Sequence, residues 1–256
     1  MTFRQKKILE YLTEKDDAAV SELSELLNVT EVTIRSDLTK LSKNKKVVRT
    51  HGRVSLLDER IKAENSFDVR KKQNYIQKLK IGKAAADLIK SNETHLFDSS
   101  STVLTLANNI KEKKHLKDIT IIPTGIWSAI ELMGVSNVNV LLPGGYLRNV
   151  SGSIIGLPTT KFLSGLNIQK AFLGAWGISI EKGLMDSNLL EIELKKYIID
   201  SAEEVVVLAD GSKFNQMGLA SYAEIENVST IITDNGAPKN ILTKIKERGV
   251  RVICVN

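Results

Sequence analysis

The sequence predicts an α/β protein in two parts: a winged helix-turn-helix domain over residues 1–57 and an α/β domain over 81–256, joined by a linker over 58–80. Three observations predict it. In the first forty-odd residues, apolar side chains recur at helical spacing in three short blocks separated by turn and cap residues. From residue 81 onward, short apolar runs alternate with amphipathic blocks, the pattern of an open sheet covered by helices. The length of 256 residues suits one large domain or two at about 150 residues per domain, and the change of pattern favours two.

The first helix covers 4–15, with Ile8, Leu9 and Leu12 on one face, and Asp16-Asp17 breaks it. Ser21 is expected to cap a second short helix carrying Leu23, Leu26 and Leu27. Leu27-Asn28-Val29 reads as a tight turn. Thr30 then caps a third helix over 31–43, whose buried stripe is Ile34, Leu38 and Leu41. Its remaining positions, Thr33, Arg35, Ser36, Thr39 and Lys40, face outward. A short second helix, a tight turn and a polar third helix are helix-turn-helix punctuation, and the third helix is the one that enters a DNA major groove. Arg35 is the candidate for a base contact, because its fork matches guanine O6 and N7. Thr30 and Thr33 suit phosphate or methyl contacts, with Ser36 and Lys40 beside them. After the helix, 47–50 and 54–56 are expected to pair as a hairpin around His51-Gly52-Arg53, a wing that offers Arg49, His51 and Arg53 to the duplex.

The formal charge is +6, and its placement is uneven. Residues 61–90 hold 8 basic and 3 acidic side chains, whereas 91–256 hold 16 and 17. Arg35, Lys40, Lys43, Lys45, Lys46, Arg49 and Arg53 face only Asp37, a dense positive stretch. Charge density alone reads equally as a polyanion site and as a solvated lysine-rich surface. It is the polar third helix followed directly by the basic wing that favours DNA. The linker is charged, with Arg70, Lys71, Lys72, Lys78 and Lys80, and is read as a partly helical connector that touches DNA or is simply solvated.

In the larger domain, helices are expected at 81–89, 102–110, 126–133, 189–201 and 239–248, and strands at 94–97, 119–122, 138–142, 171–174, 205–209, 231–233 and 250–255. Open α/β sheets bind ligands at the carboxyl ends of their strands. Three strand ends are polar or rich in glycine. Asp98-Ser99-Ser100-Ser101-Thr102 opens a helix, where free N–H groups and the dipole suit a phosphate, although an ordinary Ser/Thr cap has the same sequence. Pro143-Gly144-Gly145 runs on to Arg148. Asp210-Gly211-Ser212-Lys213-Phe214 places a lysine where a phosphate would lie, and Asp98 or Asp210 could accept sugar hydroxyls. Together the three ends point to a sugar-phosphate site.

Several classes are excluded. No apolar run approaches about 18 residues, so no membrane span is expected. The first seven residues are polar and basic and predict no secretory leader. One cysteine, Cys254, rules out a disulfide framework, and it is expected to be buried in its apolar run. His51, His95 and His115 lack metal-ligand spacing, so neither metal nor cofactor is expected. The location predicted is cytoplasmic.

The stretch L-L-N-V-T-E-V-T-I-R-S-D-L-T-K-L from Leu26, followed by V-V-R-T-H-G from Val47, resembles the winged helix of the DeoR family of bacterial sugar-metabolism regulators. That family reads L-x-V-S-x-x-T-I-R-R-D-L-x-x-L and R-x-H-G-G-A. Here Thr30 replaces the serine, Ser36 the second arginine, and Arg53-Val54 the Gly-Ala pair. The resemblance continues through the larger domain, at Asp98 to Thr102, at Gly144-Gly145, at Gly183-Leu184 with Glu191, and at D-x-S-K-F from Asp210 to Phe214. It departs from the family at Pro123-Thr124-Gly125 and at Met185-Asp186. What it implies is a transcriptional regulator, a repressor of a sugar operon. Its partners would be double-stranded operator DNA, a phosphorylated sugar and further copies of itself, with no membrane. The effector domain would share the fold of ribose-5-phosphate isomerase, with Asp98, Ser99, Ser100, Ser101, Thr102, Gly144, Gly145, Arg148, Glu191, Asp210 and Lys213 around the effector.

The rival reading is a phosphosugar isomerase with an accessory DNA-binding domain. Such enzymes need a carboxylate base. They carry D-G-A-D-E at a strand end and a glutamate in R-E-K. Aligned with them, this chain has Leu173 and Trp176 in place of the aspartates and Lys195 in place of the glutamate. A phosphate shell without its base is expected of a sensor, not an enzyme.

Overall fold

A computed structural model describes residues 1–15, 17–44, 46–50, 53–56 and 67–256. The chain divides into two compact units, Met1–Ala63 and Glu64–Asn256.

The first unit runs α1 (Phe3–Lys15), β1 (Asp17–Ala19), α2 (Val20–Leu27), α3 (Glu31–Lys43), β2 (Val47–Thr50) and β3 (Arg53–Leu56). Ile8, Leu12, Leu23, Ile34, Leu38, Leu41, Val47 and Val54 form one buried cluster. Burial of each such side chain stabilises the fold by about 1.5–3 kcal/mol. Asn28, at φ 49°, supplies the left-handed residue that the turn between α2 and α3 needs. The Thr30 hydroxyl caps α3 by accepting from the Thr33 N–H (3.4 Å). Two expectations change. Ser21 does not cap α2 but lies inside its first turn, and Glu22 instead reaches back to accept the Ala19 N–H (3.2 Å). Leu26 is exposed, because α2 needs only Val20 and Leu23 fully buried. The β2–β3 hairpin gains a third, unforeseen strand, β1, antiparallel to β3.

The second unit runs α4 (Phe67–Lys72), α5 (Tyr75–Ala86), β4 (Thr94–Phe97), α6 (Ser101–Ile110), β5 (Ile119–Pro123), α7 (Ile126–Leu132), β6 (Val138–Val140), β7 (Tyr146–Leu147), β8 (Ile154–Ile155), α8 (Leu157–Leu163), β9 (Ile168–Gly174), β10 (Gly177–Ser179), β11 (Gly183–Asp186), α9 (Leu189–Ser201), β12 (Ala202–Leu208), β13 (Ala220–Ala223), β14 (Thr230–Asp234), α10 (Lys239–Glu247) and β15 (Arg251–Val255). Seven strands form a parallel sheet in the order β15-β14-β12-β9-β4-β5-β6. From β4 the chain winds outward through β5 and β6, then returns to β9 on the other side. β4 and β9 therefore flank the switch point, where an open sheet leaves a crevice at its carboxyl ends. One face buries Ile81, Val103, Leu106 and Leu132 of α5–α7 against Phe97, Phe172 and Ile232. The other buries Leu163, Ile192, Ile198 and Ile245 of α8–α10 against Leu96, Leu173 and Val207. β10, β11 and β13 form a small antiparallel sheet, and β7 pairs with β8.

Two further expectations are corrected. Within the expected linker, residues 67–80 are not a connector. They include α4 and the first half of α5 and belong to the second unit, anchored by buried Phe67 and Lys78. Cys254 is exposed, because β15 ends the sheet and its side chains alternate between faces.

Candidate functional site

On α3 the structure separates the buried stripe from an outward row. Thr30, Arg35, Ser36 and Lys40 are exposed and Thr33 is half-buried. The Arg35 guanidinium reaches back one turn to Glu31 (3.0 Å). Asp37, counted above against the basic cluster, is not on its surface. It is 2% exposed and takes hydrogen bonds from Gln5 Nε2 (3.0 Å) and Arg4 Nε. The carboxylate thus fastens α1 to α3 and leaves the outward cations uncompensated by it. Val32, which the periodicity did not single out, is 76% exposed at the start of α3. Arg49 and Arg53 lie on β2 and β3, while His51 lies outside the described residues.

In the second unit, Asp98 follows β4 directly and is 2% exposed. Its Oδ1 accepts the Ser100 N–H (2.8 Å) and its Oδ2 the Gly174 N–H (2.7 Å). Asp98 is thus a strut across the switch point, with both oxygens already engaged. Gly174 is required there: a Cβ would lie 2.4 Å from the Ser100 Cβ. The Ser100 hydroxyl caps α6 through Val103 N (3.1 Å), and Ser99, Ser101 and Thr102 are buried around that helix start.

Lys195, on α9, closes the strut. Its Nζ donates to Gly174 O and Asp186 Oδ2 (both 2.7 Å) and lies 3.3 Å from Asp98 Oδ2. Its burial would lower its pKa, but Asp186 and Asp98 more than offset that and hold it above the ordinary lysine value. The ammonium lies 5.0 Å from the Tyr222 ring centre, and the Tyr222 hydroxyl also donates to Gly174 O (3.0 Å). Burial raises the pKa of that phenol.

Arg148 and Glu191 are brought together, but with each other. Glu191 Oε1 accepts from Arg148 Nη1 (2.7 Å), Ser151 Oγ (3.0 Å) and Ser153 Oγ (2.5 Å). Gly144 and Gly145 sit against α8, where Gly144 O accepts from the Thr159 hydroxyl (2.9 Å).

The third strand end assembles the most unusual electrostatics. Asp210 is 1% exposed. Its Oδ1 accepts from Asn74 Nδ2 (2.8 Å) and from Ser212 N (3.1 Å), whereas its Oδ2 is buried without a partner. Lys78 of α5 is 3% exposed, and its Nζ donates to Arg70 O (2.6 Å) and Ser101 Oγ (3.2 Å) at the start of α6. Its pKa is lowered from 10.5 to about 8, by burial first and also by Lys213 and Arg70, against the pull of Asp210. Lys213 lies 5.4 Å above Trp176. Nε and Nη2 of Arg70 are buried with no hydrogen-bond partner. Ser101, Asp210 and Lys213 were expected here; Arg70, Asn74 and Lys78 were not. The expected helix over 81–89 caught only the second half of α5, and the lysine-rich residues before it carry no signal that the helix starts at Tyr75. Among the described residues, no cluster of metal-ligating side chains exists.

Residues 4–60 match the family described as DeoR-like helix-turn-helix domain, and residues 73–235 the family described as DeoR C terminal sensor domain. The HTH-type transcriptional regulator GolR of Listeria innocua is 34% identical to this chain, over 97% of it and 96% of GolR. A protein of Escherichia coli O157:H7 named as a proposed aga operon transcriptional repressor is 31% identical, over 98% of this chain and 93% of its own. The HTH-type transcriptional regulator IolR of Bacillus subtilis is 29% identical, over 90% of each. Among solved structures, ribose 5-phosphate isomerase A of Methanocaldococcus jannaschii aligns with 56% of this chain and 55% of its own, at 20% identity and a TM-score of 0.42.

Proposed function

Because the chain belongs to the DeoR family of transcriptional regulators, we propose that it represses a sugar-metabolism operon in the cytoplasm, under the control of a phosphorylated sugar. The DNA contacts fall to Thr30, Thr33, Arg35, Ser36 and Lys40 of α3 and to Arg49, His51 and Arg53 of the wing. Val32 adds an exposed apolar side chain suited to a thymine methyl group. One recognition helix spans few base pairs, so two or more copies act together on repeated half-sites.

The observation that carries the effector reading is the buried ammonium of Lys78 against the first residue of α6. Arg70, Lys213 and Asp210 are close enough to act on it electrostatically. Three cations and one carboxylate leave a net charge of +2, which matches a phosphate of about −1.5 to −2. The helix start adds free N–H groups and its dipole. Asp98 and Lys195 shape the crevice rather than bind the ligand. Lys195 stands where the isomerases carry their glutamate and keeps its proton, so the site senses a sugar phosphate without converting it.

Thermal melts and operator mobility shifts with a panel of pentose and hexose phosphates test this. One compound should raise the melting midpoint, release the operator and be recovered unchanged. Lys213→Ala should bind the operator normally yet need about 10–100-fold more effector, from the loss of one charge-assisted contact of about 1.5–3 kcal/mol. A panel without any response, or turnover of ribose 5-phosphate, would reject the proposal.

Lys78 also sets a pH dependence. An anion favours the charged lysine, whose pKa in the free protein is lowered to about 8. Binding must then take up a proton at higher pH. Affinity should weaken by about tenfold between pH 7 and pH 9, a range in which the phosphate itself is already ionised. Calorimetric titration at the two pH values checks this, and Lys78→Met should bind weakly with no such slope.

A further inference from the structure

α4 is a six-residue helix that opens the second unit, and Phe67 is its one buried residue among those described. The Phe67 N–H donates to Val150 O (2.9 Å), and its ring stacks on Trp127 at 5.5 Å and 21°. Trp127 packs in turn on Gly152, at φ 72°, where a Cβ would lie 2.4 Å from the indole nitrogen. The Arg70 guanidinium lies 5.5 Å from the centre of the same Phe67 ring. The rest of the helix is held from the crevice: Lys78 Nζ donates to Arg70 O, and Asn74, just after α4, donates to Asp210.

Nε and Nη2 form the side-on edge of a guanidinium, two parallel N–H groups that match two oxygens of a phosphate. In this structure both are buried and unpaired. Each unmet buried donor is costly. Lys78, meanwhile, spends its shortest hydrogen bond on the α4 backbone. An anion between them would satisfy the Arg70 edge and draw the ammonium away from the Arg70 carbonyl. Both changes fall on α4, so the anion binds the two positions of that helix with different strength, as a switch requires.

We infer that Arg70 grips the effector phosphate side-on and that α4 is the element it resets, with the Phe67–Trp127 stack as the contact that moves. This rests on the crevice being the phosphate site proposed above. α4 is the first described element of the sensor unit.

The protein contains two tryptophans, Trp127 and Trp176. In the full chain carrying Trp176→Phe, inorganic phosphate should raise the melting midpoint and change Trp127 fluorescence with the same concentration dependence. Adding Phe67→Leu should keep the melting response within about twofold while abolishing the fluorescence change. Arg70→Met should move both responses to phosphate concentrations about tenfold higher or more. A melting response without a change at Trp127, or an Arg70→Met protein that binds phosphate like its parent, would overturn the switch and leave the phosphate site standing. No melting response at all would overturn both.

Discussion

Lys195→Met is expected to destabilise the second unit by about 3–5 kcal/mol, the usual cost of removing one partner from a buried charge network. Methionine fills the same length of crevice but leaves the Asp98 and Asp186 carboxylates facing each other in the interior without a counter-charge. It also removes a hydrogen bond from the Gly174 carbonyl. The damage falls at the switch point, because Asp98 ties the start of α6 to the end of β9. Urea denaturation of the unit spanning residues 64–256, followed by circular dichroism, measures it. Replacing Asp98 and Asp186 by asparagine in the same chain should recover part of the loss, since no uncompensated charge then remains. A single variant within about 1 kcal/mol of wild type would show that Lys195 does not hold the crevice together.

Arg35→Ala should weaken operator binding by about 1–3 kcal/mol and relax the preference at one base pair, as expected for a lost bidentate contact to guanine. Folding should be unaffected. The side chain is exposed, alanine favours the helix, and the hydrogen bond from Thr39 goes to the Arg35 main chain. In the free protein the guanidinium pairs with Glu31. Both side chains are largely exposed, so that pair is worth little and gives way readily to a base edge. In-vitro selection of binding sites decides the matter: if the variant retrieves the same consensus as the wild type, Arg35 reads no base.

The elements that were legible beforehand share a cause. α3 and α6 have apolar stripes and hydroxyl caps within a single stretch of chain, so their starts and buried faces follow from local rules. α9 was placed at its observed bounds. β1 was missed because three residues carry no pattern, and its partner β3 lies more than thirty positions away. α4 and the first half of α5 read as a charged linker because the lysine-rich pattern before residue 81 hides a helix face that buries Lys78 instead of a large apolar residue. Cys254 misled in the opposite direction. An apolar run announces a strand, but not that the strand ends the sheet.

The candidate residues divide in the same way. Periodicity and motif identified a helix-turn-helix with an outward polar row and an α/β domain with polar strand ends. Those properties depend on residue type and on neighbours a few positions away. Only the folded chain decided what each polar residue does. The order of strands sets β4 beside β9, and α9 then carries Lys195 across a gap of nearly a hundred residues to Asp98. That contact makes the aspartate a strut, while α4 and α5 bring Arg70 and Lys78 to the start of α6. Hydrogen-bond satisfaction in a buried site depends on distances between segments remote in sequence, and no local pattern contains them.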